Sequence, residues 1–261
     1  MEIGYSFAGL LVGFVIGLTG IGGGALMTPI LIVGFGVPLI VAVSTDLLYA
    51  AFTKAGGIFN YAKRQLVDWR VAGLLLLGSL PSSFLTLIYL SQVESVATLE
   101  STINLTLGVS LLLTSIAVFF RERIRRFSDR QSESPFAQSL IQCRPYLTVL
   151  CGLFLGGLVT LSSVGAGALG TAMLILLYPR FSMATIVGTD LVHAVVLTAF
   201  SGFGHMQMGT VDLELLAYLL VGSLPGVWLG SRLGANLSPK LMQPIIGSLL
   251  MAIGIRFVLA V

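Results

Sequence analysis

The chain has 261 residues, of which 56% are hydrophobic and only 10% charged, and its formal net charge is +3. Soluble domains carry about a quarter charged residues, so the composition excludes an ordinary soluble domain and gives no hint of nucleic-acid binding. It points to an all-α, polytopic protein whose partner is the lipid bilayer. The two cysteines, Cys143 and Cys151, stand apart, which argues against a disulfide framework or a metal site. Met1-Glu2-Ile3 offers no basic leader, so the first apolar segment is expected to be kept.

Eight apolar segments follow in chain order, at about 4–36, 38–60, 70–91, 98–120, 146–178, 182–204, 213–231 and 241–260. The first is uncharged from Gly4 to Gly36 and is broken at Gly20-Ile21-Gly22-Gly23-Gly24; the fifth is uncharged from Tyr146 to Tyr178 and is broken at Ser162-Ser163-Val164-Gly165-Ala166-Gly167. As one helix either would be roughly 50 Å long, against a hydrocarbon core of ~30 Å. Each is therefore a hairpin that dips in and returns, or a pair of crossings. Paired, Gly-interrupted segments in two halves of a chain point to a transporter's binding site.

The long polar stretch 121–144 separates a first transmembrane repeat, 1–120, from a second, 145–261, and reads as a basic linker. Thr45-Asp46-Leu47 recurs as Thr189-Asp190-Leu191, Leu66-Val67-Asp68 as Thr210-Val211-Asp212, and Gly78-Ser79-Leu80-Pro81 as Gly222-Ser223-Leu224-Pro225, each 144 positions on. One offset shared by three motifs indicates an internal duplication. All the Lys and Arg residues except Lys54 and Arg256 lie in the loops at 63–70, 121–144, 180 and 232–240, which the positive-inside rule assigns to the cytoplasm. Glu2, Glu94, Glu100, Asp212 and Glu214 occupy the remaining loops. Equivalent loops in the two halves carry opposite charge, so the repeats are expected to be inverted, with an odd number of crossings each. Arg256 resists the scheme and is expected to snorkel.

The glycine breaks let the backbone approach a ligand, and a helix that resumes after a break presents free N–H groups and a positive dipole end to an anion. Thr19, Gly22, Gly23 and Gly24 in the first break, and Ser162, Ser163, Gly165 and Gly167 in the second, are the expected substrate-binding residues, with the hydroxyls Ser44, Thr45 and Thr189 beside them. The structural alternative is that glycines only permit close packing, the preferred reading for Gly9, Gly13 and Gly17 and for Gly226, Gly230 and Gly234. The last group can serve a homodimer or packing within one subunit. Gly20–Ala25 resembles a dinucleotide fingerprint only by accident, since no strand precedes it, and no cofactor is expected.

Asp46, Lys54, Asp190 and His193 fall inside apolar segments. An ionised side chain at the bilayer centre costs at least ~2.5–3.5 kcal/mol, so such residues usually face a cavity. Asp190 and His193, three positions apart on one helical face, are expected to carry a coupling proton, with Asp46 as symmetric partner; the alternative is a helix cap or a structural acceptor. Lys54 reads first as snorkelling to the interface, and second as drawing an anion inward. Tyr61, Trp69 and His205 are placed at membrane boundaries, and Pro81 and Pro225 at kinks.

The Gly-rich break, Pro29, the Ser44-Thr45 helix, and the helices led by Val67-Asp68 and Val211-Asp212 that run to Gly78-Ser79-Leu80-Pro81 and Gly222-Ser223-Leu224-Pro225 resemble the sulfite exporter TauE/SafE family of membrane permeases. The likeness covers essentially the whole chain. It implies a permease or exporter of sulfite, sulfonates or related small organosulfur anions in a bacterial-type inner membrane. Relatives commonly carry Ser or Asn where this chain has Asp46 and Asp190, a departure that fits a proton-coupled variant. The residues alone stop at a small anion. They leave open an anion channel or uncoupled facilitator and, more remotely, an intramembrane aspartyl protease, whose usual Gly-x-Gly-Asp is replaced by Val187-Gly188-Thr189-Asp190. No ATPase or enzyme signature is present.

Overall fold

The computed structural model describes residues 2–19, 24–93, 95–131, 135–234 and 239–259. They form ten helices: α1 (Glu2–Thr19), α2 (Gly24–Phe35), α3 (Leu39–Lys63), α4 (Trp69–Gln92), α5 (Val96–Gln131), α6 (Pro135–Ser162), α7 (Ala168–Leu177), α8 (Met183–Gln207), α9 (Leu213–Gly234) and α10 (Pro239–Leu259). The fold is all-α, and six helical stretches are long and apolar enough to cross a membrane. Large apolar side chains such as Leu77, Leu150, Val221 and Leu224 point outward and are more than half exposed. An apolar exterior is what a hydrocarbon solvent requires. Helices α4 and α9 continue past Pro81 and Pro225 without ending there.

The two Gly-broken segments are hairpins with unequal arms. The short arms α2 and α7 have 12 and 10 residues, roughly 18 and 15 Å, about half of a ~30 Å core. Each hairpin closes at its mouth. The rings of Tyr5 and Phe35 meet at a tilt of 43° with centroids 5.0 Å apart, and Thr148 Oγ1 lies 2.9 Å from the Tyr178 hydroxyl. The two mouths lie at opposite ends of the bundle. The α1/α2 mouth adjoins the end carrying Asp212 and Glu214, and the α6/α7 mouth adjoins the end carrying Lys63, Arg64 and Arg180. Helices α5 and α6 continue well into the 121–144 stretch, so much of the polar segment is helical.

Packing crosses between the halves. Helix α1 lies against α9, and α6 against α4, while α3 meets α8 and α5 meets α10. Glycines make the first two contacts possible. A Cβ on Gly9, Gly13 or Gly17 would run into the backbone of α9, and one on Gly222, Gly226 or Gly230 into that of α1. Gly78, Gly152 and Gly156 do the same between α4 and α6. This is the small-residue packing of membrane helices, and it consumes Gly226 and Gly230 within one chain, which leaves neither free to form a dimer.

Matched hydrogen bonds fasten the loops. The Asp68 N–H donates to Thr189 Oγ1 at 2.9 Å, and the Asp212 N–H donates to Thr45 Oγ1 at 3.1 Å. Each Asp in turn accepts from the N–H three residues on, Val71 or Leu215, at 2.9 Å and so caps its helix.

Candidate functional site

Helices α3 and α8 cross at the centre and carry the buried ionisable groups. Asp46 on α3 is fully buried and accepts from Thr28 Oγ1 of α2. Asp190 on α8 is 3% exposed and accepts from Thr171 Oγ1 of α7 at 3.1 Å. Each carboxylate thus meets a threonine of its own repeat's short hairpin arm. Asp190 also presses on Gly170, where a Cβ would strike the carboxylate. His193 shares the face of Asp190: its Nδ1 is 4.0 Å from Asp190 Oδ1, and its Nε2 is 3.1 Å from Ser79 Oγ on α4. Asp190 Oδ1 and His193 Nδ1 are both buried without a hydrogen-bond partner, and a shift of about 1 Å would join them.

The tip of the second hairpin reaches this centre. Gly165 and Gly167 hold φ of 111° and 137°, values that L side chains avoid. Ser162 Oγ ties the turn by accepting from the Val164 N–H at 3.2 Å. Ser163 Oγ faces Asp46. Gly167, as the N-cap of α7, supplies no side-chain cap; the Gly170 N–H donates back to the Gly165 carbonyl at 3.4 Å, and the Ala168 and Leu169 N–H groups keep the anion-attracting character of a helix start. Lys54 is only 6% exposed and donates from Nζ to the Ala166 carbonyl at 2.7 Å. The lysine therefore does not snorkel: it turns inward to the hairpin tip, because its place on α3 is more than two turns above the helix end at Lys63.

A cavity of about 270 Å³ opens beside this tip toward the Lys63 end, lined among others by Lys54, Tyr61, Arg121, Gly167, Thr171 and Asp190. Thr171 had no assigned part in the sequence reading, while Tyr61 was expected at a membrane boundary and Arg121 in the basic linker; all three line this cavity. Thr171 was detectable as the counterpart of Thr28, 143 positions earlier. A second cavity, about 400 Å³, opens toward the other end, lined by Ile40, Ser91, Ile103, His205 and Thr210 among others. The two share no lining residue. His205, in the last turn of α8, faces inward: it is 2% exposed, with Nδ1 2.9 Å from Ser44 Oγ and Nε2 3.0 Å from the Thr160 carbonyl.

Of the expected substrate-binding residues whose surroundings are described, Gly167 alone lines the first cavity; Ser44 is bonded to His205 and Thr210, Thr45 and Thr189 fasten loops, and Ser162, Ser163 and Gly165 shape the tip. Gly22 and Gly23 lie outside the described residues, as does the side chain of Thr19, and Gly24 opens α2. Among the residues expected to couple protons, Asp190 lines the cavity, His193 stands behind it, and Asp46 is sealed away from it.

The family model described as sulfite exporter TauE/SafE matches residues 5–257. Two Bacillus subtilis proteins, each named "Probable membrane transporter protein", are similar. YjnA is 35% identical over 99% of this chain and 100% of its own length, and YunE is 27% identical over 91% and 89%. An archaeal protein of the same printed description, from Methanocaldococcus jannaschii, is 27% identical over 96% of this chain and 94% of its own. No solved structure matches the chain. With apolar helices that can span a bilayer and a family match over nearly its whole length, the chain belongs to the sulfite exporter TauE/SafE family and is a multi-pass membrane transporter, not an enzyme.

Proposed function

We propose that the chain is a secondary transporter of a small anion, sulfite or an organosulfonate, coupled to protons and working by alternating access between two inverted repeats. It would sit in a bacterial-type inner membrane with the Lys63 end and the basic 121–144 stretch in the cytoplasm. One observation carries the reading: the start of α7, which has no side-chain cap, and the Asp190 carboxylate line the same cavity of about 270 Å³. The helix start attracts an anion, whereas an ionised Asp190 at such range repels one. A proton on Asp190 removes the repulsion, so anion and proton are favoured together, and His193 behind Asp190 offers the proton a second position. The family's printed description supplies sulfite; the separate cavities toward the two ends supply the two sides of access.

The test is uptake of labelled sulfite, sulfoacetate and sulfate into proteoliposomes, with and without an imposed proton gradient. Saturable sulfite or sulfoacetate uptake that rises with the gradient is expected. Uptake indifferent to the gradient would replace coupling with a facilitator or channel, and absence of flux for every anion would remove the substrate class.

A further inference from the structure

The two repeats match at their carboxylates, Asp46 and Asp190, but not in their cations. The counterpart of Lys54, 144 positions on, is Thr198, whose hydroxyl donates to the Ala194 carbonyl of its own helix at 2.7 Å. Lys54 thus has no cationic counterpart in the other repeat, just as His193 is matched 144 positions earlier by Tyr49. Lys54 lies on α3 between the level of Asp46 and the cavity, lines that cavity, and spends its described hydrogen bond on the Ala166 carbonyl in the tip of the second hairpin. A buried ammonium has three donor positions and needs acceptors for them. A backbone carbonyl is a neutral acceptor; an oxyanion is a charged one and makes the stronger bond.

We infer that Lys54 is the counter-charge for the substrate anion and that the anion competes with the Ala166 carbonyl for its ammonium group, so that filling the cavity releases the tip of the second hairpin. This rests on the anion-transporter reading and adds to it the residue that senses occupancy. The tip is built to respond. Gly165 and Gly167 hold positive φ, Ser163 sits at a φ of 57° with its buried hydroxyl unpartnered, and the turn is tied down by Ser162 and by Lys54. Releasing one tie also frees the segment that faces Asp46 through Ser163. A signal starting at the cavity thereby reaches the carboxylate that the cavity does not touch.

The experiment compares wild-type protein, Lys54→Met and Lys54→Arg in nanodiscs, with labelled sulfite binding and peptide-level hydrogen exchange as readouts. Lys54→Met is expected to weaken sulfite binding roughly ten- to a hundredfold, the loss of a charge-assisted bond. It is also expected to raise exchange in peptides covering 163–171 without sulfite, while peptides of α4 stay as in wild type. Lys54→Arg keeps the charge and should bind sulfite within a fewfold of wild type. Should Lys54→Met not fold, sulfite protection of Lys54 from acetylation in wild-type protein decides by mass spectrometry, with at least about tenfold slowing expected from occupancy well above Kd. Wild-type affinity in folded Lys54→Met, unchanged exchange at 163–171, or unprotected Lys54 would each overturn the inference alone. Wild-type protein that neither binds nor transports sulfite, sulfoacetate or sulfate would overturn the anion reading, and this inference with it.

Discussion

Asp190 is held from three directions: Thr171 donates to it, Gly170 leaves the space it fills, and His193 waits at 4.0 Å. A carboxylate so placed can gain or lose a proton with little rearrangement. Replacing it with Asn keeps the shape and removes the titration. Asp190→Asn is therefore expected to abolish stimulation of sulfite uptake by a proton gradient while leaving exchange of labelled for unlabelled sulfite across the membrane measurable, within about tenfold of wild type; counterflow assays check both halves. Loss of both activities would make Asp190 a binding or structural group instead. At this scale the sequence was informative where a charge stood in an apolar run, as with Asp46, Asp190 and His193. It misled where side-chain length mattered. Lys54 can reach either the interface or the centre, and only the position of the hairpin tip, brought in from 112 residues away, decides between them. Thr45 and Thr189 resembled pocket hydroxyls for a similar reason: motif adjacency to an Asp says nothing about which face of the helix meets a loop.

At the level of helices, the glycine rows of α1, α4, α6 and α9 set how closely the pairs approach. A Cβ added at Gly9, Gly13, Gly17, Gly78, Gly152, Gly156, Gly222, Gly226 or Gly230 would meet backbone that cannot swing away, unlike a flexible side chain. Gly13→Val and Gly152→Val are expected to destabilise by at least about 1–3 kcal/mol, the usual cost of overpacking, and to lower the thermal unfolding midpoint in detergent. Gly73→Ala is the control: Gly73 has open space around it on α4, so alanine there should be neutral or slightly stabilising through its better helix propensity. The long helices were legible because apolar runs of bilayer length have few alternatives. Their ends were less so, since hydropathy marks where a helix lies in hydrocarbon, not where it stops. Thus α5 runs on to Gln131 and α6 begins at Pro135, within what composition alone marks as a linker. The choice between hairpin and double crossing needed the helix lengths of α2 and α7, which no charge or repeat motif encodes.

For the molecule as a whole, the opposite placement of the hairpin mouths and the opposite charge of equivalent loops favour the proposed inverted arrangement, in which Lys63 and Glu214 face different compartments. In a variant lacking Cys143 and Cys151, Lys63→Cys is expected to react with a membrane-impermeant maleimide only after the cytoplasmic face is opened, and Glu214→Cys in intact cells. Both positions are exposed, so labelling of both from one side would refute the inverted arrangement.

The exchange of partners between halves also fixes an order of assembly. Helix α1 leaves the ribosome long before α9, yet its glycine groove fits α9, some two hundred residues later. Until then its tightest neighbour does not exist, and the same holds for α4 until α6 arrives. Neither repeat can finish its own interior, so the duplicated chain matures as a unit: the earlier copy is a half-made mould that the later copy both fills and closes.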